Sequence, residues 1–258
     1  MARILGIVCG LATHALFLVT VWYLFWFLKD GAAPGTGVLG RDALLALQFA
    51  LVHSLILWPA TRRRLSTWIP AEFYGCFFCV ATCLGLLITF AFWRSSPVVL
   101  WSLEGWGRTA IEGAFLATWP ALIYSLSLTG LGWQTGWTPF WHWFRGLPVP
   151  RREFRPRGAY HVLRHPVYLS FLGLVWFTPV MTLDHAVLTG IWTVYIFVGS
   201  YLKDRRLVHY LGDAYRVYQA RVPGYPLVPF GPLGRLRPTV ARLSPTEALP
   251  AASRLPAN

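Results

Sequence analysis

Long apolar runs alternate with short polar stretches along most of this chain. An apolar run of about 20 residues can cross the hydrocarbon core of a bilayer as a helix. The pattern therefore predicts an all-α, polytopic transmembrane helix bundle with about six spans. The predicted spans cover about residues 4–28, 43–58, 73–93, 109–131, 167–182 and 186–202. Pro120 is expected to kink the fourth span.

The last two predicted spans are short, and only residues 183–185 separate them. This arrangement predicts a tight C-terminal helical hairpin. Helices of equal length rise by equal amounts, so the two ends of such a hairpin come level. Arg164 and His165 at its entry should therefore lie near residues 203–206 at its exit.

An apolar stripe follows the hairpin. Its members recur at spacings of 4, 4, 3 and 4, which predicts an amphipathic helix that Pro223 and Gly224 end. The stripe comprises Leu207, Leu211, Tyr215, Tyr218 and Val222. Such a helix could lie on the membrane or fold back over the mouth of the hairpin.

Composition indicates a membrane protein, and the distribution of charge predicts its orientation in the membrane. Only 13% of the residues are charged, against about 25% in a typical soluble domain. With six spans, 19 of the 23 Lys and Arg residues fall on one side, so the positive-inside rule predicts that both termini are cytoplasmic. Since these cations are spread over juxtamembrane loops, the net charge of +13 indicates membrane orientation and contact with lipids, not nucleic-acid binding.

Other common sites leave no trace in the sequence. All four cysteines fall within predicted spans, and no second ligand pair follows Cys76 and Cys79 at a zinc-site spacing, so no metal is expected. Nucleotide-binding glycine loops and serine-hydrolase elbows are absent from the sequence as well. Residues 232–258 are rich in Pro, Ala, Ser and Arg, which predicts a disordered cytoplasmic tail after a membrane domain of residues 1–231.

The stretch 164–168, Arg-His-Pro-Val-Tyr, lies where an arginine-rich loop meets an apolar run. Pro166 favours the first turn of a helix, which places His165 just before it. The free N–H groups at that helix start, together with Arg164, would attract a carboxylate or a phosphate. The alternative is a membrane anchor, in which arginine binds lipid headgroups and Tyr168 sits in the aromatic belt.

This stretch, followed by Asp204-Arg205 and by the Tyr215-x-x-Tyr218 pair before Pro223, resembles the C-terminal cofactor region of integral-membrane methyltransferases. That group includes isoprenylcysteine carboxyl methyltransferases and phospholipid N-methyltransferases. Residues 49–54 and 176–182, and the spacing of Gly158-x-Tyr160, are similar to the bacterial methanethiol S-methyltransferase branch. The resemblance covers most of the chain and implies a bacterial inner-membrane protein.

The resemblance also implies a cofactor and a set of site residues. S-adenosylmethionine would be the methyl donor, and the acceptor would be a small thiol such as methanethiol. The implied cofactor-binding residues are Tyr160, Arg164, His165, Pro166, Tyr168, Asp204, Tyr215 and Tyr218, and the implied catalytic residues are His53 and Arg205. Arg164 is predicted to hold the cofactor carboxylate through two parallel bonds.

Two departures from the family pattern keep alternatives open. The family usually carries paired glutamates where this chain has Lys203-Asp204, and often a glutamine where it has Val52. The acceptor could instead be a lipid or an isoprenoid-type group, or the chain could be a non-enzymatic membrane protein that has kept the fold. His53 stays a functional candidate because ionisable residues inside membrane spans are commonly functional.

Overall fold

The computed structural model describes residues 2–35, 39–150, 152–236 and 253–255, and these are mainly helical. The helices are α1 (Ala2–Asp30), α2 (Leu39–Leu57), α3 (Pro59–Leu65), α4 (Ala71–Phe92), α5 (Gly105–Thr129), α6 (Leu131–Gln134), α7 (Trp137–Arg145), α8 (Pro166–Trp176), α9 (Leu183–Leu211) and α10 (Asp213–Arg221). A 3₁₀ helix covers Gly158–His161, and the strands are β1 (Val99–Ser102), β2 (Arg152–Phe154), β3 (Val180–Thr182) and β4 (Ser253–Leu255).

Five of these helices, α1, α2, α4, α5 and α9, are long and apolar enough to cross a membrane. The predicted all-α polytopic bundle is thus confirmed, and the chain is an integral membrane protein. Large apolar side chains on the outer faces of these helices are exposed, for example Leu18, Leu44 and Val194, as expected for a surface that meets lipid. Pro120 lies inside α5, which continues past it to Thr129.

The fifth predicted span, 167–182, is only partly helical. Helix α8 has 11 residues and ends at Trp176. Thr178 precedes Pro179, and a residue before proline is disfavoured in the helical region, so the chain continues in an extended form. The helix rises by about 16 Å, which is about half of the thickness of a bilayer's hydrocarbon core.

Extended backbone inside a membrane protein needs internal hydrogen-bond partners. Strand β3 finds them by pairing antiparallel with β1, from Val99 opposite Thr182 to Ser102 opposite Val180. The prediction that residues 183–185 form the connecting loop is wrong, because these residues form the first turn of α9. The chain reverses direction before them, at 177–182.

The five long helices and the shorter apolar helix α8 form a ring around a common apolar core. Neighbouring helices pack in the order α1, α4, α2, α9, α8 and α5. Phe25 of α1 contacts Phe115 and Trp119 of α5 and so closes the ring. One end of the bundle holds the start of α8 and the last turns of α9, and we call it the Arg164 end. The opposite end holds β1, β3 and the start of α9, and we call it the Asp184 end.

The predicted apolar stripe after the hairpin is buried, but it lies on two helices instead of one. Gly212, with φ 56° and ψ −131°, separates α9 from α10 in a conformation that residues with a Cβ rarely adopt. The stripe packs against Phe154 of the arginine-rich loop. This contact favours the fold-back alternative over a helix lying on the membrane.

The predicted tail begins with packed residues. The Leu233 carbonyl accepts a bond from the Gly224 amide, and the Gln219 carbonyl accepts one from the Leu236 amide. Residues 237–252 and 256–258 of the predicted tail lie outside the described residues, and β4 pairs with β2. The described structure therefore extends the packed region at least to Leu236.

Candidate functional site

A buried ion pair joins the start of α8 to the last turns of α9. Arg164 Nε and Nη2 lie 3.2 and 3.0 Å from Asp204 Oδ2, and both side chains are almost fully buried. The entry and the exit of the hairpin therefore lie close together at these two residues, as the sequence predicts. Pro166 occupies the first turn of α8, and His165 precedes it as the N-cap residue, with φ −124° and ψ 48°.

The remaining donors of Arg164 are taken up by backbone carbonyls. Its Nη1 donates to Gln219, Val222 and Gly234 at 3.1, 2.7 and 2.9 Å, and its Nη2 donates to Pro232 at 3.2 Å. All three guanidinium nitrogens thus already have acceptors within the protein. The predicted paired bonds to a cofactor carboxylate would require Arg164 to abandon these partners, so the geometry opposes that role.

Asp204 has two further neighbours. The Tyr215 hydroxyl donates to its Oδ1 at 2.5 Å, and His165 Nε2 lies 3.2 Å from its Oδ2. Burial, and then the adjacent carboxylate, raise the pKa of Tyr215 well above its usual value, so the hydroxyl stays protonated and donates. Burial lowers the pKa of His165, and Asp204 only partly offsets this, so the imidazole stays neutral near pH 7.

His165 is held by close contacts on several sides. Its ring packs against Tyr168 and Tyr225, with centroids 5.6 and 5.5 Å away. A Cβ at Gly224 would overlap the Leu233 carbonyl and press on this ring, so the close approach requires glycine. His165 Nδ1 is buried and has no hydrogen-bond partner among the described residues.

A second group of aromatic side chains adjoins this one. Lys203 Nζ lies 5.3 Å from the centroid of the Tyr168 ring and 5.9 Å from that of Tyr160. The Tyr160 hydroxyl is buried and makes no well-formed hydrogen bond within the described residues. Burial raises the pKa of Tyr160, and the nearby Thr129 hydroxyl only partly offsets this. The Tyr218 hydroxyl donates to the Tyr160 carbonyl at 2.6 Å. We call Tyr160, Tyr168 and Tyr225, with the Lys203 ammonium, the tyrosine cluster.

His53 forms a separate polar pair deeper in the bundle. Its Nδ1 lies 2.5 Å from the Tyr195 hydroxyl of α9, and Phe49 and Phe78 pack against its ring. Tyr195 interacts electrostatically with Tyr168, so the pair borders the tyrosine cluster. The bond leaves Nε2 as the atom of His53 that can exchange a proton.

The other predicted catalytic residue, Arg205, is not part of this arrangement. Its side chain is exposed, and its guanidinium carbon lies 5.9 Å from the centroid of the Tyr201 ring. Successive residues of a helix point about 100° apart, so Asp204 and Arg205 cannot both face the cluster. The neighbouring cation that does approach it is Arg206, which interacts electrostatically with His53 and Tyr168.

Two clefts lie away from these residues. One, of about 440 Å³ at the Asp184 end, is lined by apolar and polar side chains, and the polar ones include the ion pairs Lys29–Asp30 and Arg108–Glu112. The other, of about 540 Å³ between α5 and α8, is almost wholly apolar. The charges of the first are paired and the second offers few polar groups, so neither matches the buried polar atoms of the tyrosine cluster. No group of three or more metal-ligating side chains occurs among the described residues.

Comparison with known proteins relates this arrangement to a family. Methanethiol S-methyltransferase of a Pseudomonas species is 28% identical over 231 residues, which cover 85% of this chain and 89% of that protein. Methanethiol S-methyltransferase 1 of Bradyrhizobium diazoefficiens is 29% identical over 236 residues, 85% of this chain and 81% of that protein. The chain is similar to methanethiol S-methyltransferases over most of its length. The resemblance inferred from the motifs is thereby confirmed.

A more distant relative is Nurim of Danio rerio, which is 27% identical over 197 residues, 71% of this chain and 69% of that protein. No protein-family model matches the chain, and no solved structure matches it either. The similarity to methanethiol S-methyltransferases therefore stands on whole-chain sequence relatives and on the motif residues.

Sequence reasoning did not find three parts of the site. Tyr195 and Tyr225 lie outside the motifs that resembled methanethiol S-methyltransferases, and residues 232–236 were assigned to the tail. Tyr195 lies on the predicted last span, eight residues before Lys203, and residues at this spacing can share one broad face of a helix, which was an available signal. Residues 232–236 contribute backbone carbonyls, and these leave no trace in the side-chain pattern.

Proposed function

We propose that this protein is an S-adenosylmethionine-dependent methyltransferase that methylates a small thiol of the methanethiol type at the membrane. The observation that carries the proposal is the convergence of family-motif residues from three distant stretches, His53, Tyr160–Tyr168 and Asp204, beside one aromatic cluster. The named activity of relatives that cover most of the chain supports the same reaction.

The cluster fits the methyl donor in its chemistry. Among the described residues, no well-formed hydrogen bond reaches the buried Tyr160 hydroxyl or His165 Nδ1, and such atoms are costly unless something binds them. The faces of Tyr160 and Tyr168 already attract one cation, and a sulfonium would be attracted in the same way. Tyr160, His165 and Tyr168 would therefore hold S-adenosylmethionine, which supplies a methyl group already activated by positive charge on sulfur.

The Arg164–Asp204 pair has a positioning role in this proposal. It fixes the start of α8, the end of α9 and the segment 219–236 in one arrangement, and so orients His165 and its neighbours. Pro166 sets the helix start, and Tyr215 and Tyr218 fasten α10 to Asp204 and to the Tyr160 carbonyl. The shape of the donor site thus depends on five residues that do not contact the donor themselves: Arg164, Pro166, Asp204, Tyr215 and Tyr218.

His53 and Tyr195 are proposed to handle the acceptor's proton. If His53 Nδ1–H donates to the Tyr195 oxygen, Nε2 is free to accept the thiol proton. Tyr195 also interacts with Ser54, whose hydroxyl oxygen can accept a hydrogen bond from the Tyr195 hydroxyl. The buried surroundings of His53 would keep bulk water from the resulting thiolate, which would leave it reactive toward the methyl group that the donor supplies.

Direct binding of the donor separates an enzyme from a non-enzymatic relative. The purified full-length protein in detergent is expected to bind S-adenosylmethionine in a calorimetric titration. Tyr160→Phe keeps the ring and removes the buried hydroxyl, so its affinity should fall roughly two- to twelvefold. Tyr201→Phe, which changes an exposed tyrosine outside the cluster, should bind like wild type. No heat of binding with wild type at any concentration would favour the non-enzymatic alternative.

The orientation in the membrane is a further expected outcome. The charge distribution and the positions of the two ends of the bundle support a cytoplasmic Arg164 end, with both termini on that side. In a Cys9→Ser background, a cysteine at Arg155 should react with a membrane-impermeant maleimide only after the membrane is opened. A cysteine at Trp106, which is exposed at the Asp184 end, should react in intact cells. Equal labelling of the two positions in intact cells would reject this orientation.

A further inference from the structure

One face of α9 borders the proposed donor site, and its members recur at spacings of four, four and three residues. They are Tyr195, Gly199, Lys203 and Arg206. Tyr195 bonds to His53, a Cβ at Gly199 would lie 4.0 Å from the Tyr168 ring, and Lys203 Nζ lies 5.3 Å from the centroid of that ring. The fourth member follows one turn later and faces the same space.

The Arg206 side chain is half-buried and brings a positive charge to this space. Its guanidinium interacts electrostatically with His53 and Tyr168, and like charge repels it from Arg62 of α3. Among the residues that the structure describes, none forms a hydrogen bond or an ion pair with this guanidinium. Because a guanidinium has five N–H donors in a fixed fork, the arrangement favours an anion that comes from outside the protein.

The groups around Arg206 indicate which kind of anion fits. Asp204, the carboxylate that acts on Tyr168, is already occupied, since Arg164 and Tyr215 bond to its two oxygens. The Tyr168 hydroxyl, in contrast, has no hydrogen-bond partner within the described part of the chain. A carboxylate between this hydroxyl and the guanidinium could accept hydrogen bonds from both.

We infer that Arg206 binds the carboxylate of the methyl donor, with the Tyr168 hydroxyl as a second ligand, and thereby selects S-adenosylmethionine over molecules that lack this group. The inference deepens the proposed function and rests on it. S-adenosylmethionine carries its carboxylate and its sulfonium on one short chain. The carboxylate would therefore cancel the charge of Arg206 while the sulfonium stays beside the tyrosine rings, where an uncompensated cation would otherwise repel it.

This assignment also gives the donor a direction in the site. Arg206 acts on His53, so the methionine portion would lie on the side of the proposed base, where the thiol loses its proton. The buried Tyr160 hydroxyl and His165 Nδ1 are left for the uncharged nucleoside portion. Hydroxyl groups and ring nitrogens of a nucleoside can form hydrogen bonds with both atoms.

The test compares two ligands in calorimetric titrations of the full-length protein. Decarboxylated S-adenosylmethionine keeps the sulfonium, the amine and the nucleoside and lacks only the carboxylate. Wild type should bind S-adenosylmethionine roughly 10- to 150-fold more tightly than this analogue, the range for hydrogen bonds to a charged group. Arg206→Gln should lose the preference. Its affinity for S-adenosylmethionine should fall by the same factor, and its affinity for the analogue should stay the same or rise, because a repelling cation is gone.

Two further variants and a stability measurement accompany this test. Arg206→Lys keeps the charge but cannot form paired bonds, so it should retain part of the preference. Arg205→Gln removes the exposed cation beside it, which packs against Tyr201, and should bind both ligands like wild type. Without donor, Arg206→Gln should unfold at the wild-type temperature or above it, because no described residue bonds to Arg206. This measurement separates lost binding from lost folding.

The possible results distinguish this inference from the proposed function. If wild type and Arg206→Gln prefer S-adenosylmethionine over the analogue by the same factor, the inference is overturned and the proposed function stands. Equal losses in Arg205→Gln and Arg206→Gln would also overturn it, because the effect would then be one of net charge. Wild type that binds neither ligand would overturn the proposed function itself.

Discussion

Asp204→Asn is expected to destabilise the folded protein by about 3–5 kcal/mol, the range for removing one partner of a buried ion pair. The asparagine keeps the size of the side chain, so the loss comes from the uncompensated charge of Arg164, which has no exposed surface to relax into. If each kcal/mol shifts the midpoint as in a soluble domain of this size, thermal unfolding should occur roughly 6–20 °C lower. Thermal denaturation of the purified protein, followed by circular dichroism, measures the shift.

The control for this change is Asp213→Asn on the neighbouring helix. Asp213 pairs with Arg216, but both side chains are largely exposed, so the same substitution should alter stability by no more than about 0.5 kcal/mol. Arg164→Lys should be destabilising as well, because an ammonium has three donors in place of five and cannot reach the carbonyls of 219, 222, 232 and 234 together. If Asp204→Asn and Asp213→Asn unfold at the same temperature, the ion pair does not hold the site together.

His53→Asn is expected to lower kcat for a thiol acceptor by roughly 10²- to 10⁴-fold, the usual contribution of a general base. Donor affinity should change little, because His53 lies beside Tyr195 and not among the residues proposed to hold S-adenosylmethionine. The deficit should shrink as the pH rises, since the thiol then ionises without help. Initial rates at saturating donor, measured across a pH series, test this expectation.

His14→Asn is the matched control for this substitution. His14 also lies inside a membrane helix, and its Nδ1 contacts the Gly10 carbonyl of its own helix instead of a second polar side chain. We therefore expect wild-type kinetics from this variant. A rate deficit in His53→Asn that stays constant with pH would indicate a packing role for His53, and the base would have to be sought elsewhere.

The helix bundle and the meeting of Arg164 with Asp204 could be predicted from sequence because each depends on a local, repeated signal. Hydropathy marks the spans, and a hairpin of two similar segments brings its two ends level. The interruption of the fifth span at Trp176 was harder to foresee, because β3 exists only through its pairing with β1, some 80 residues earlier in the chain. Non-local pairing of that kind has no counterpart in a hydropathy pattern.

The contacts of Arg164 show what a sequence motif alone does not reveal. An arginine beside a helix start suggested a ligand for a carboxylate, and the carboxylate turned out to be Asp204 of the same protein. The other four acceptors of Arg164 are backbone carbonyls. Any residue type could provide them, so they could not be predicted from the sequence. The pairing of Lys203 with two tyrosine faces is likewise a product of tertiary packing.

The most direct test of the account is transfer of an isotopically labelled methyl group from S-adenosylmethionine to methanethiol by the purified, folded, full-length protein. Mass spectrometry of the headspace would follow labelled dimethyl sulfide, with S-adenosylhomocysteine measured in solution. We expect the two products in equal amounts with wild type and with His14→Asn, and a rate lower by two to four orders of magnitude with His53→Asn. Folded wild-type protein that binds the donor yet leaves all of the label on it, with methanethiol in excess, would contradict the account.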